Sequence, residues 1–155
     1  MKRLPKPFWI ATACALALVP LLAAAREVQT KIAGKKLVAA SEMKWSPLPG
    51  IDGAEQVALW GDPAKEAHRV MYRFPVGLKA PLHTHTHGDR GLVVSGSLSL
   101  AFEGEPAKVL GPGSWFSMAG GTKHVTEVSG DKPCVFYVER DGPFDVVAAD
   151  AAAKK

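Results

Sequence analysis

Several features that define particular protein classes are scarce or absent in this chain. Only two cysteines occur among its 155 residues, which excludes a disulfide framework as the basis of the fold. Long runs of one charge and low-complexity tracts are missing, so a disordered body is excluded. We also find no internal repeat. What is present, 47% hydrophobic and 22% charged residues, is typical of a globular chain long enough for one domain.

The first part of the chain has the composition of an export signal. Residues 1–7 carry three basic side chains and no acidic one, residues 8–22 form an almost unbroken apolar run, and a triple alanine follows. The apolar run is shorter than the ~20 residues that a membrane-spanning helix needs. We therefore expect residues 1–25 to be a signal peptide cleaved after Ala25, without stable membrane insertion, and the protein to be periplasmic or secreted.

Loss of this segment changes the charge and the cysteine count. The whole chain has a formal net charge of +4, but three of those positive charges lie in the segment, so the rest is nearly neutral. No basic patch remains that would favour nucleic acid as a partner. Cys14 would leave with the signal peptide, while Cys134 stays within an apolar run. We interpret Cys134 as a buried small hydrophobe, and a reactive thiol is the alternative.

After a lead-in segment over residues 26–55, short strand-like runs alternate with glycine and proline turn signals. The predicted strands are residues 56–60, 68–74, 91–95, 97–102, 107–110, 114–118, 124–128, 135–139 and 144–147. This spacing indicates an all-β sandwich or barrel over residues 56–148, with a C-terminal tail over residues 149–155. Within the second strand we expect Tyr72 and its alternate neighbours to face the core and His68 to lie at the surface.

Three of the five histidines stand at alternate positions: His83, His85 and His87. Alternate residues of a strand share a face and lie about 6.5–7 Å apart, so two such imidazoles can converge on one ion. A straight strand from 83 to 89 spans roughly 20 Å, so these three and Asp89 cannot all bind the same ion. His124, which opens another apolar strand, is the most natural remote ligand.

Two segments of the chain together resemble the two sequence motifs of the cupin superfamily. The first motif, a glycine, a His-x-His pair, an acid and a second glycine, is matched by Gly77, His83, His85, Asp89 and Gly96. The second motif is matched by Gly113, Gly121 and His124. Residues 59–63 further resemble a subgroup of small cupins without an assigned biochemical role. The departures are an aspartate in place of the usual glutamate, and Ala119 and Val128 at the usual proline and asparagine positions.

The resemblance implies a single-domain jelly-roll β-barrel that forms a homodimer. It also implies that His83, His85 and His124 are metal ligands. Asp89, one methylene shorter than glutamate, is either a fourth ligand or a cap for the turn at Gly88. His87 is a ligand, a nearby proton-transfer group or an exposed loop histidine.

Three imidazoles suit one divalent transition metal ion, namely Fe, Mn, Ni, Cu or Zn. Aromatic and sulfur side chains are candidates for lining a pocket around it, with ordinary barrel core as the alternative. These candidates are Trp115, Phe116, Met118 and Phe102.

Three functions are compatible with this pattern. The first is a metalloenzyme of the oxygenase or isomerase type acting on a small molecule, which requires free coordination positions. The second is a non-catalytic small-ligand or metal-binding module, whose coordination Asp89 or His87 would close. The third is a structural barrel with a vestigial site, which acts by dimerising.

Overall fold

The computed structural model describes residues 36–149. They contain a short 3-10 helix, Ala40–Glu42, followed by a series of strands. The strands are β1 (Ser46–Pro47), β2 (Glu55–Trp60), β3 (His68–Phe74), β4 (Lys79–Thr84), β5 (Asp89–Ser95), β6 (Leu98–Phe102), β7 (Lys108–Leu110), β8 (Trp115–Met118), β9 (His124–Val128), β10 (Cys134–Arg140) and β11 (Val147–Ala148). Within residues 36–149, no helix has the length and apolar character that crossing a bilayer requires.

The strands form two antiparallel sheets. One has six strands in the order β1-β2-β3-β10-β5-β8, and the other has five in the order β11-β4-β9-β6-β7. Their inner faces share one hydrophobic core. This is the jelly-roll β-barrel architecture that the strand spacing and the cupin resemblance predicted. The sheet extends into the predicted lead-in segment, because β1 pairs with β2 there.

Buried and partly exposed side chains alternate strictly along β3 and β10, the central pair of strands in the six-stranded sheet. Every second residue of each is buried, starting at His68 in β3 and at Cys134 in β10. The expected core position of Tyr72 is confirmed, and its ring centroid lies 5.5 Å from that of Phe136, its register partner. Apolar side chains therefore fill the interior of the six-stranded sheet, and burial of each contributes roughly 1.5–3 kcal/mol.

The prediction that His68 lies at the surface is wrong. Its side chain is fully buried, because residue 68 shares the inward face of β3 with Tyr72. The ring lies 3.0 Å from the carbonyl oxygen of Glu66 through Nδ1, which donates the hydrogen bond. The alternation that placed Tyr72 inside also applies to His68, and its polar character does not override that geometry.

Two strand boundaries differ from the prediction near the histidines. β5 begins at Asp89, two residues early, so Asp89 is a strand residue and does not cap a turn. The strand expected over residues 144–147 is reduced to Val147–Ala148. The N–H of Phe144 instead donates to the carbonyl of Pro63 at 2.7 Å, so this segment crosses the end of the barrel as a loop.

Candidate metal centre

A cavity of about 650 Å³ lies between the two sheets. Its walls are mostly apolar, and the polar groups among them come from both sheets. The histidine, acidic and basic side chains in the inner wall are His83, His85, His124, Asp89 and Arg140. A mostly apolar cavity with a few convergent polar groups is the usual form of a small-molecule site.

Three histidines converge in this cavity, and we call them the three-histidine group: His83, His85 and His124. Their candidate ligand atoms all lie within 4.8 Å of one another. His83 and His124 are register partners on β4 and β9. β4 ends at Thr84, so His85 lies one residue beyond the strand, with its ring centroid 5.0 Å from that of His83.

Backbone carbonyls orient all three rings. Nδ1 of His83 lies 2.7 Å from the Pro81 oxygen, and Nδ1 of His124 lies 2.9 Å from the Thr122 oxygen. A carbonyl accepts only, so each Nδ1 carries the proton and each Nε2 keeps a free lone pair. Such hydrogen bonds fix the tautomer that metal-binding histidines require.

The third ring is held by a loop that the sequence did not single out. Nδ1 of His85 donates to the backbone oxygen of Asp145 at 2.5 Å. The Asp145 carboxylate accepts hydrogen bonds from both the backbone N–H and the hydroxyl of Thr86. Burial raises the pKa of the Asp145 carboxyl, but the two bonds from Thr86 outweigh it, so the pKa lies below its usual value. Asp145 therefore holds its loop beside His85, through its backbone oxygen and its carboxylate.

Burial favours the neutral form of two of these imidazoles, those of His85 and His124. Burial lowers the pKa of His124 to about 4, against the hydrogen bond to Thr122, which raises it. Burial is also the main cause that lowers the pKa of His85, followed by the charge of Arg140. Neutral imidazole is the form that binds a metal ion, so both rings stay competent below pH 6.5.

Asp89 lies beside the three-histidine group but is held by another partner. Its two carboxylate oxygens accept hydrogen bonds from Nε and Nη2 of Arg140, at 2.5 and 2.6 Å. The two residues are register partners on β5 and β10, and both are buried. Oδ2 of Asp89 is also 3.7 Å from Nε2 of His85. The structure therefore places Asp89 in a buried ion pair at the edge of the group.

His87 lies outside the three-histidine group. A Cβ added to Gly142 would stand 2.4 Å from Cε1 and Nε2 of its ring, so the imidazole packs directly on the Gly142 backbone. The ring is half-buried there, because the chain turns after β4 and no longer points residue 87 along the face of His83 and His85.

Two of the four expected pocket residues line the cavity. Phe116 and Met118 face inward on β8, as predicted. The same expectation is wrong for Trp115, which is 62% exposed because strand alternation turns it outward. Phe102 packs against the core without reaching the cavity wall, which is the alternative stated for these residues.

Two further cavity residues have polar atoms without a partner in the described part of the chain: Arg140 through Nη1 and Tyr72 through its hydroxyl. Burial raises the pKa of Tyr72 far above its usual value, so the hydroxyl keeps its proton. The sequence contained one signal for Arg140, a charged residue that continues the buried alternation of Cys134, Phe136 and Val138. Leaving a buried donor unsatisfied costs about 1–3 kcal/mol.

The donor set fits a divalent transition metal. Three imidazole nitrogens suit Fe, Mn, Ni, Cu and Zn, and the three candidate ligand atoms lie within 4.8 Å of one another in the cavity wall. Three protein ligands also leave coordination positions for water or a bound molecule.

Comparison with solved structures identifies the fold. The polyketide cyclase RemF from Streptomyces resistomycificus is 20% identical, with a TM-score of 0.62 over 77% of this chain and 89% of that chain. The DMSP lyase DddQ from Ruegeria pomeroyi is also 20% identical, with a TM-score of 0.57 over 74% of this chain and 64% of that chain. An RmlC-like cupin from Shewanella frigidimarina is 19% identical, with a TM-score of 0.56 over 72% and 93%.

These likenesses establish the cupin fold and nothing about the reaction. No curated protein matches the sequence. A family model described as a domain of unknown function, DUF4437, matches residues 32–147, which is most of the chain and includes the whole three-histidine group. The chain is therefore a member of the DUF4437 family, with a cupin-type fold.

Proposed function

We propose that this chain is a metal-dependent enzyme acting on a small molecule. In this proposal His83, His85 and His124 hold one divalent transition metal ion through their Nε2 atoms. The observation that carries it is the convergence of one ring nitrogen from each histidine at the wall of a mostly apolar cavity, while Nδ1 of each ring is bonded to a backbone carbonyl. Such a metal polarises a bound carbonyl or acidifies bound water.

The surroundings of the group favour an enzyme over a non-catalytic binding module. A module closed by a fourth ligand would need Asp89 or His87 to point at the metal. Arg140 instead engages both oxygens of Asp89, and His87 packs on Gly142. Positions on the metal therefore stay free for a substrate, which a metalloenzyme requires.

The rest of the cavity has the features of a reaction chamber for an organic molecule. Phe116, Met118 and Phe136 provide apolar walls, and electrostatic interactions are stronger beside apolar walls than in bulk water. The cyclase and the lyase with the same fold are named for reactions of small molecules, which supports the same class of substrate here. Within this class we propose an oxygenase- or isomerase-type reaction.

Metal content tests the proposal most directly. We expect about one transition metal ion per chain in untagged protein purified from its own host and measured by mass spectrometry. The His83→Ala/His124→Ala variant should lose the metal, whereas His87→Ala, the matched control, should retain it. Wild type with no more metal than the double variant would contradict the proposal.

Localisation and assembly complete the proposal. We propose that residues 1–25 are removed and that the protein acts in the periplasm or outside the cell, as the pattern of basic, apolar and small residues favours. We also propose a homodimer, which the cupin resemblance supports. Intact mass should show an N-terminus at Arg26, and light scattering should give twice the chain mass.

A further inference from the structure

Two buried donors in the cavity have no acceptor in the described part of the chain. They are the Tyr72 hydroxyl and Nη1 of Arg140, and both residues line the cavity that contains the three-histidine group. Nearly all buried polar groups in folded proteins have a hydrogen-bond partner. Two exceptions in one cavity indicate a place where an acceptor from outside the chain binds.

The Tyr72 ring and the Arg140 guanidinium both lie near the ring of Phe144. The Tyr72 and Phe144 ring centroids are 6.0 Å apart, and Cζ of Arg140 is 4.8 Å from the centroid of Phe144. Tyr72 and Arg140 also belong to neighbouring strands, β3 and β10, and both face inward. Both side chains therefore lie near Phe144 in the wall of the cavity.

Asp89 fixes the orientation of the Arg140 guanidinium. Nε and Nη2 of Arg140 donate hydrogen bonds to the two carboxylate oxygens of Asp89, which holds the guanidinium in one orientation. Nη1 is left to donate to another group. A guanidinium held in this way presents its remaining N–H groups without losing side-chain freedom on binding. Carboxylates match such donors well, because each of their two oxygens can accept.

The charges around the cavity favour an anion once a metal is present. Histidines that bind a metal ion are neutral, and Asp89 cancels the charge of Arg140. The other charged residues in the wall, Asp52 and Lys79, have opposite signs. A divalent ion would therefore leave the cavity with an excess of positive charge.

We propose that Nη1 of Arg140 and the hydroxyl of Tyr72 bind a carboxylate of the substrate. The substrate is then an organic carboxylate whose apolar body lies along the aromatic wall while its reacting end faces the three-histidine group. This inference rests on the proposed function and specifies its substrate class. A neutral acceptor and bound water are the other occupants that the experiment distinguishes.

Benzoate is a suitable probe, with benzamide as its neutral counterpart, and titration calorimetry on protein from its own host is the measurement. We expect benzoate to bind about tenfold more tightly than benzamide, because charged acceptors make stronger hydrogen bonds. Tyr72→Phe removes one donor and should weaken benzoate binding about tenfold. Tyr137→Phe, which changes the only other tyrosine, on the outer face of β10, should leave the affinity unchanged.

Three results would overturn the inference: no benzoate binding at about 10 mM, a hundredfold above a typical substrate constant; equal affinity for benzoate and benzamide; or equal affinity of wild type and Tyr72→Phe. Arg140→Lys keeps a positive charge beside Asp89 but lacks the fork, so it should also lose benzoate binding. If that variant fails to fold, Tyr72→Phe alone decides.

Metal analysis of the same preparations separates this inference from the proposed function. Benzoate binding that depends on Tyr72 in protein without metal would support the carboxylate site and contradict the metalloenzyme. If the protein holds one metal per chain and Tyr72→Phe binds benzoate as tightly as wild type, the carboxylate site is contradicted and the metalloenzyme proposal is not.

Discussion

The two sheets contribute chemically different groups to one cavity. The five-stranded sheet provides His83 and His124, with His85 directly after β4, and backbone carbonyls orient each of these neutral rings. The six-stranded sheet provides Asp89 and Arg140, which are charged and orient each other. Because backbone carbonyls hold the histidine rings, the second nitrogen of each ring is available to bind an ion. Asp89 and Arg140 instead hold each other, so removing either one leaves the other buried without its partner. We expect substitutions of the histidines to lower mainly metal affinity, and substitutions of Asp89 or Arg140 to lower mainly the free energy of unfolding.

The largest effect on stability should come from the charged side. Asp89→Asn leaves Arg140 buried without a counter-charge, and we expect a loss of about 3–5 kcal/mol in the free energy of unfolding. Chemical denaturation measures it. Glu55→Gln is the matched control: Glu55 pairs with Arg73 at 2.7 Å, but both side chains are more than a third exposed, so the loss should be about 1 kcal/mol or less. Equal losses in the two variants would contradict the comparison.

The histidine side should respond in the opposite way. We expect His85→Ala to lower metal affinity more than about 100-fold, since even groups that only orient a ligand contribute 10- to 100-fold. Its metal-free free energy of unfolding should fall less than that of Asp89→Asn, because the ring borders a cavity and its loss removes one hydrogen bond, to the Asp145 carbonyl, without leaving a buried charge unpaired. Titration with Zn²⁺ and urea denaturation give the two values. A variant that binds Zn²⁺ as wild type does would remove His85 from the site.

The cavity wall offers a smaller test, on the six-stranded sheet. A Cβ at Gly91 would stand 2.2 Å from Cζ of Phe116, so Gly91→Ala must displace a ring that lines the cavity. We expect a loss of about 1–3 kcal/mol from overpacking, measured by thermal unfolding. Gly111→Ala, where no atom lies within 4 Å, should cost almost nothing. Similar melting temperatures for the two variants would show that Phe116 moves freely.

A further expected effect is a pH dependence of the metal-free protein. The pKa of His124 is about 4 in the folded chain and 6.5 in a model peptide, so between these values only the unfolded chain binds the proton. Stability contributed by the neutral ring is therefore complete above pH 6.5 and is lost as the pH falls towards 4. Urea midpoints at pH 7.5 and 5 should differ more in wild type than in His124→Gln. An identical difference in both proteins would assign the effect to other groups.

Local pattern was sufficient to predict much of the fold. The period-two pattern of residues 68–74 and 124–128 predicted both strands with their observed limits. The same pattern failed over residues 144–147, where hydrogen bonds to Pro63 and Thr86 hold a loop. Those partners lie far away in sequence, so no local signal reports them. Trp115 shows a second limit, since hydrophobic character alone does not say which face of a strand is inside.

The sequence by itself determined that the chain is a β-barrel with two histidines one residue apart, because strand formation and side-chain alternation depend on neighbouring residues. It also indicated His124 as the third member, through the order and separation of the two motifs. Only the tertiary structure decided that Arg140 pairs with Asp89, across 51 residues, and that Tyr72 faces the same cavity with a hydroxyl that has no partner among residues 36–149. These features arise from the register between strands and the packing of two sheets, which no single segment of the chain contains.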